Sequence, residues 1–457
     1  MPNAVHGGAA SSKTSKDSLL FVGIVWLATL VVGLRAAANQ RRFPFTDDWN
    51  LVPFVTGDRP VTFSWLWAQH GDHRIPLVKA LFLVIYNSVT TYDFRAAVMT
   101  NIVLLAAMAA ILLLTAARLR GSIAYADAFF PLALLQWGLV AIWWSFALHY
   151  VCWLGLVTGV LIAIVRTAER LSCWNAAVAG TCLCLLPLCG TIGLVLVPPL
   201  ALWLLLSGRS LGGRSRTASL VAWAGGLGSL AVAGAYLGHL QLSSEHRGAS
   251  LAQTFGFSVK FLSAEFGRAF AAFPRLPWYL LMPVLLVLSL GALGWTMKTR
   301  PSERTRGFGL LLFGLAMVGL ATAMGIGRAG RMGQVDVLNH YAILAVPLLI
   351  WTYLVWGCCP GLEAAARFFQ TSLFALMCVV FALNVHVEGY TYREAEERFL
   401  EDVHAGLSIP LLVQRHWRLF YWQNSEEGRS EITNGLRTLR RAQVKPFDAI
   451  RDDGATP

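Results

Sequence analysis

Pro44–Lys79 reads PFTDDWNLVPFVTGDRPVTFSWLWAQHGDHRIPLVK, and its contrast with the rest of the chain decides the fold class. Asp47, Asp48, Asp58, Asp72, Arg59, Arg74, His70 and His73 crowd into it, in a protein only 14% charged. Aromatic residues are interleaved: Phe45, Trp49, Phe54, Phe63, Trp65 and Trp67. A connection longer than about 12–15 residues is as a rule functional or disordered. The Trp and Phe content argues against disorder, because such side chains bury enough surface to order a loop.

Around this segment the chain is material for spanning a bilayer. Its 457 residues are 56% hydrophobic with a mean hydropathy of +0.57, which indicates an all-α polytopic membrane protein. The net charge of +12 is not a nucleic-acid signature, since no basic face is interleaved with stacking aromatics. The charge lies mostly in loops, where it orients helices and attracts anionic lipid head groups.

Working outward, residues 1–17 read as a disordered N-terminus. An uncleaved anchor follows from Ser18 towards Ala37, longer than the core of a signal peptide. The first outer loop spans 38–95. Its short apolar helix, Ile75–Val89, suits the membrane interface, with Pro76 in its first turn. Ten further spans are expected near 96–117, 128–146, 150–166, 174–190, 191–207, 218–238, 277–297, 308–327, 341–357 and 369–385. That makes about eleven transmembrane helices in an 18–385 membrane domain. Gly225, Gly226, Gly234 and Gly238 on one helix, and Gly314, Gly319 and Gly325 on another, suit close helix packing. Residues 386–457 carry ten Lys/Arg against twelve Asp/Glu and form a small helical tail. Its helices are expected over Arg393–His404, stopped at Gly406, and over Glu431–Arg441.

Arginines set the orientation. Arg118, Arg120, Arg166, Arg170, Arg209, Arg214, Arg216, Lys298, Arg300, Arg304, Arg306 and Arg367 share one set of alternate connections. The opposite short turns, near Trp143–Tyr150 and Gly190–Gly193, have none, so the arginine side is cytoplasmic. The N-terminus is then cytoplasmic, and 38–95 and the tail are extracytoplasmic, in a multi-pass plasma membrane of the bacterial inner-membrane kind. Most of the eight cysteines sit in or beside apolar spans, Cys182 and Cys184 have no His or carboxylate nearby, and the set reads as inert thiols.

Three constellations could carry chemistry. Asp47 and Asp48 are adjacent carboxylates at a membrane surface, and repulsion with lost solvation should raise at least one pKa, as suits a general base. The pair could instead hold a divalent cation such as Mg or Mn, or merely cap a short helix starting at Trp49. His70-Gly71-Asp72-His73-Arg74 resembles half a metal site with no second half. Donors for a phosphate or a sugar hydroxyl are the more economical reading. Gly325-Ile-Gly-Arg328-Ala-Gly-Arg331-Met-Gly333 offers glycine backbone with two guanidiniums three apart, as an anion cradle or as arginines snorkelling from a helix end. Asn339-His340-Tyr341 starts the next span on the same face. His149, His239 and His246 beside it read as interfacial anchors. The mid-helix regions lack charge, which counts against an ion-coupled transporter.

The acidic-pair-Trp (Asp47-Asp48-Trp49), the His70-Gly71-Asp72-His73-Arg74-Ile75 segment and the arginine turn at Arg328 and Arg331 resemble the GT-C superfamily of membrane glycosyltransferases. The similarity is to its uncharacterised bacterial members, which often carry a Ser-Arg-Tyr-like triplet where this chain has Asn339-His340-Tyr341. The resemblance implies a GT-C-like fold and an inverting transfer from a polyprenyl-phosphate sugar to a glycan, lipid or protein acceptor. Asp47 would be the base, with Asp48 beside it. Arg328 and Arg331, helped by Arg74 or His73, would steady the leaving phosphate, and His70, Asp72 and His340 would complete the substrate site. The alternatives are a lipid-glycan flippase with a continuous polar path, and a non-catalytic membrane subunit.

Overall fold

The computed structural model describes residues 8–89, 92–167, 171–209, 216–238, 240–241, 249–271, 273, 275–330, 334–385 and 392–452, and no strand occurs among them. The protein is an all-α multi-pass membrane protein. Nine of the described helical segments are long and apolar enough to cross a bilayer. α1 (Gly8–Ala38) starts ahead of the expected anchor. Its Ala, Ser and Lys residues before Ser18 contain no Pro, so residues 8–17 extend the helix rather than belonging to a disordered N-terminus.

In the outer loop, a 3-10 turn over Thr46–Asn50 leads into α2 (Val52–Val55) and α3 (Phe63–Trp67). α4 (Pro76–Ser88) is the expected short apolar helix. It begins at Pro76 and buries Val78, Phe82, Ile85 and Tyr86 while leaving Val84 58% exposed. α5 (Arg95–Arg120) then runs the full depth of the bundle, about 39 Å at 1.5 Å per residue.

The segment expected to span 128–146 does not form one helix. α6 (Phe129–Leu134) ends early, and tight turns carry the chain to Ala147. Gln136 and Gly138 explain the break. The Asn384 amide donates to Gln136 Oε1 at 2.9 Å, and a Cβ on Gly138 would lie 2.4 Å from that same amide. The Asn101 amide donates to the carbonyls of Ile142 and Trp144 at 3.2 and 3.3 Å, satisfying backbone groups of the broken stretch where protein shields them from lipid.

After α7 (Leu148–Val165), the other short segment is α8 (Cys173–Leu185), extended by a 3-10 turn to Cys189. α9 (Thr191–Arg209) and α10 (Arg216–Leu237) follow. α8 and α10 approach backbone to backbone, since a Cβ on Gly180 would lie 2.8 Å from the Gly225 Cα.

α11 (Leu251–Leu262) and α12 (Ala264–Phe270) were not expected. Their stretch lacks the apolar length that marks a span, and α11 shows Leu251 and Phe255 outward while burying Phe257 and Phe261. The remaining membrane helices are α13 (Leu281–Thr299), α14 (Arg304–Arg328), α15 (Gln334–Tyr341), α16 (Val346–Gly357) and α17 (Glu363–Val385). Gly325 packs α14 against α11, where a Cβ would meet Ser258 Oγ and the Thr254 carbonyl. It is a packing glycine rather than part of a flexible cradle.

The tail folds as α18 (Arg393–His404), α19 (Ile409–Phe420) and α20 (Glu426–Arg441), with Gly406 at φ +78° behind α18. It docks on the first outer loop. Phe43 meets Phe399, Phe420 and Phe447, and the Arg42 amide donates to Glu396 at 2.9 Å.

Candidate functional site

The two acids part company in the turn after Phe45. Asp48 points inward and is 1% exposed. Its Oδ2 accepts the Phe45 amide at 3.0 Å and the Ser145 hydroxyl at 2.5 Å, so it caps the turn and pins it to the start of α7. Burial pushes its pKa up to about 7, with the Asp47 charge a lesser cause. The raised carboxyl foreseen for the pair is therefore the structural one. Asp47 keeps 44% of its side chain exposed and lies 3.6 Å from His70 Nε2.

His70 and His73 face each other across a miniature hairpin closed by two backbone hydrogen bonds of 2.7 and 2.9 Å, with Gly71 at φ +51° in its turn. Only a residue tolerant of the left-handed region sits easily there. His73 Nδ1 lies 2.6 Å from the Thr191 hydroxyl at the start of α9. Burial first, then the Arg328 charge, holds His73 down to about pKa 4, so it is neutral at pH 7. Asp72, at the hairpin tip, is 3.8 Å from the Arg328 guanidinium at the end of α14. Arg328 also stacks over Tyr341, at 5.6 Å from the ring centroid.

Tyr341, under the Arg328 guanidinium, lies edge-on against both Tyr150 and His340, at 5.9 and 4.8 Å between ring centroids. Among residues 44–79 and the ends of α7, α14 and α15, these side chains therefore form one cluster. Tyr150 and His340 approach at 3.4 Å between hydroxyl and Nε2, and His340 lies against Trp144. His149 joins the same group, its Nδ1 2.6 Å from the Phe146 carbonyl. Tyr150, Thr191 and His149 were not singled out as site residues, because single polar groups in apolar runs give no spacing to read.

Arg74 does not join them as a phosphate fork. Its guanidinium donates to the carbonyls of Trp67 at 2.8 Å and Gly238 at 3.2 Å, and its amide donates to the Tyr236 hydroxyl at 2.6 Å. It staples the loop to α10. Lys79 does similar work, donating to the carbonyls of Trp65 and Ala68. Arg331, His239 and His246 lie outside the described residues.

Beside His70, a cleft of about 610 Å³ opens between the outer loop and α20. Its walls combine Trp49, Phe54, Trp65 and Phe146 with Asn50, Gln69, Asp58, Arg59, Glu431 and Arg441. Phe54 and Trp65 stack at 4.1 Å. Aromatic faces with polar and charged groups between them suit a polyhydroxylated ligand. No group of three or more His, Cys, Asp or Glu able to hold a metal ion occurs among the described residues. Asp48 turns inward, its Oδ2 accepting from Phe45 and Ser145, while Asp47 stays half-exposed.

No family model matches the chain, and no curated protein and no solved structure is significantly similar to it.

Proposed function

We propose that the protein is a membrane glycosyltransferase of GT-C type, moving a sugar from a polyprenyl-phosphate donor to a cell-envelope glycan, lipid or protein acceptor. What supports the reading is one juxtaposition: a half-exposed carboxylate, Asp47, and a guanidinium, Arg328, flank the His70–His73 hairpin beside an aromatic and polar cleft. In this reading the Asp47 carboxylate takes the proton of the acceptor hydroxyl. The acceptor oxygen attacks the anomeric carbon as the bond from that carbon to the phosphate oxygen breaks. The transition state is oxocarbenium-like and the configuration inverts. Arg328 meets the charge growing on the departing polyprenyl phosphate. His70 orients Asp47, and Asp48 holds the turn without touching substrate.

Two variants, each assayed for transfer and for binding of a polyprenyl-phosphate sugar, test the assignment. Asp47→Asn keeps the shape but removes the base, so transfer falls by about 10²–10⁴ while donor binding survives. Arg328→Ala loses a charge-assisted phosphate contact, weakening donor binding about tenfold or more. Parent-rate transfer by Asp47→Asn would remove the base from the scheme, and unchanged donor affinity in Arg328→Ala would remove the cradle.

A further inference from the structure

The opposite end of the bundle holds a second cavity. α5 carries Arg95 beside the outer loop and ends at Arg120, and α14 starts beside Arg306 and ends at Arg328, so both helices join the two ends. At the Arg120 and Arg306 end lies a cavity of about 830 Å³ between α5, α16 and α17. Arg118, Arg120, Arg306 and Arg367 line it, against the carboxylates of Glu303 and Glu363.

One carboxylate is paired with a guanidinium, and the other sits exposed at the rim on a backbone amide. Glu303 pairs with Arg306 at 2.7 Å, and Glu363 accepts the Gly361 amide at 2.8 Å. Arg120 is held by buried Asp127, whose other oxygen accepts the Tyr353 hydroxyl at 2.8 Å. The Arg120 Nε nonetheless stays buried with no hydrogen-bond partner among the described residues. Arg118 and Arg367 stand exposed at the rim. The inner wall is apolar, formed in part by Leu119, Trp356 and Ala366. Beside the rim, α5 and α17 turn Leu114 and Phe368 outward, at 49% and 76% exposure, as lipid-facing helices do.

We infer that this cavity binds the phosphate head group of an anionic phospholipid, with Arg118 and Arg367 on the phosphate and the acyl chains along the outer faces of α5 and α17. Guanidiniums match phosphate oxygens with paired donors. Basic pockets between membrane helices collect anionic head groups for this reason. A free inorganic anion would use the charge but not the apolar wall and flanks. The site is independent of the chemistry proposed at the other end.

The full-length protein, delipidated in detergent and then offered phosphatidylglycerol or phosphatidylcholine, tests the inference by native mass spectrometry. The wild type should retain phosphatidylglycerol preferentially, and Arg118→Gln with Arg367→Gln should lower that retention about tenfold or more. The charge-keeping pair Arg118→Lys, Arg367→Lys should retain most of it. Millimolar inorganic phosphate should not displace the lipid. As a readout that needs no variant, a photoreactive phosphatidylglycerol should crosslink to peptides covering 118–126 and 356–371. Equal retention of the two lipids, displacement by phosphate, an unchanged preference in the Gln pair, or crosslinks confined to other segments would each overturn the site.

Discussion

Asp48 shows how one buried carboxyl couples a site to pH. Its folded pKa of about 7 lies above the ordinary carboxylate range, so between about pH 4 and 7 the folded state holds a proton that the unfolded chain has released. Stability therefore falls as pH rises through that window, by about 1.4 kcal/mol per pH unit from this group. Asn at this position imitates the protonated acid, accepting the Phe45 amide and facing Ser145. The apparent unfolding temperature of Asp48→Asn should exceed that of the parent at pH 8 and converge with it near pH 4. Parallel profiles for the two proteins would mean that Asp48 does not carry the buried proton. The sequence showed that one of two adjacent acids would be perturbed. It could not show which, because the choice rests on which carboxyl the fold buries, and the packing that buries Asp48 includes Ser145, nearly a hundred residues away. The role of Arg74 was hidden in the same way, since carbonyls at Trp67 and Gly238 carry no signature in a sequence.

Among the elements, α20 is the one whose position matters most to the cleft, and Gly435 sets it. A Cβ there would lie 2.1 Å from Trp49 Cε3, with the indole 4% exposed and donating to the Phe420 carbonyl at 3.3 Å. Helix propensity alone favours Gly435→Ala by up to about 1 kcal/mol. Overpacking against a fixed indole costs about 1–3 kcal/mol, so the contact wins. Gly435→Ala should lower thermal stability, expose α20 to limited proteolysis and impair any activity that uses the cleft. A variant as stable and as protease-resistant as the parent would mean that α20 does not seat on Trp49. The helical character of α18 and α20 could be read from spacing and caps, because those signals are local. Their seating could not, because it joins residues more than 350 positions apart. α11 and α12 escaped for a different reason: their apolar residues cover one face of a short helix, whereas a membrane span is marked by unbroken apolar length.

For the whole molecule, the apolar runs and their arginine-marked connections made the helical membrane class legible from the outset, because lipid allows few other backbone solutions. The run at 128–146 met the same hydropathy test yet broke at Gln136 and Gly138, whose partner Asn384 lies on the last membrane helix. Hydropathy records how well a segment suits lipid, and this one is surrounded by protein. The two ends of the bundle differ in kind. One gathers Asp47, His70, Asp72 and Arg328 under the folded tail, and the other gathers Arg118, Arg120, Arg306 and Arg367 around a cavity. The positive-inside rule puts the second end in the cytoplasm, so Asp47 and the tail should face outward. Single cysteines at exposed Gln423 in the tail and exposed Ser302 between α13 and α14 test this, with labelling counted above that of the parent. In intact cells a membrane-impermeant maleimide should label Gln423→Cys and leave Ser302→Cys untouched until the membrane is permeabilised. The reverse pattern would turn the molecule over. It would place the proposed transfer on the nucleotide-rich side of the membrane and remove the reason for a lipid-linked donor.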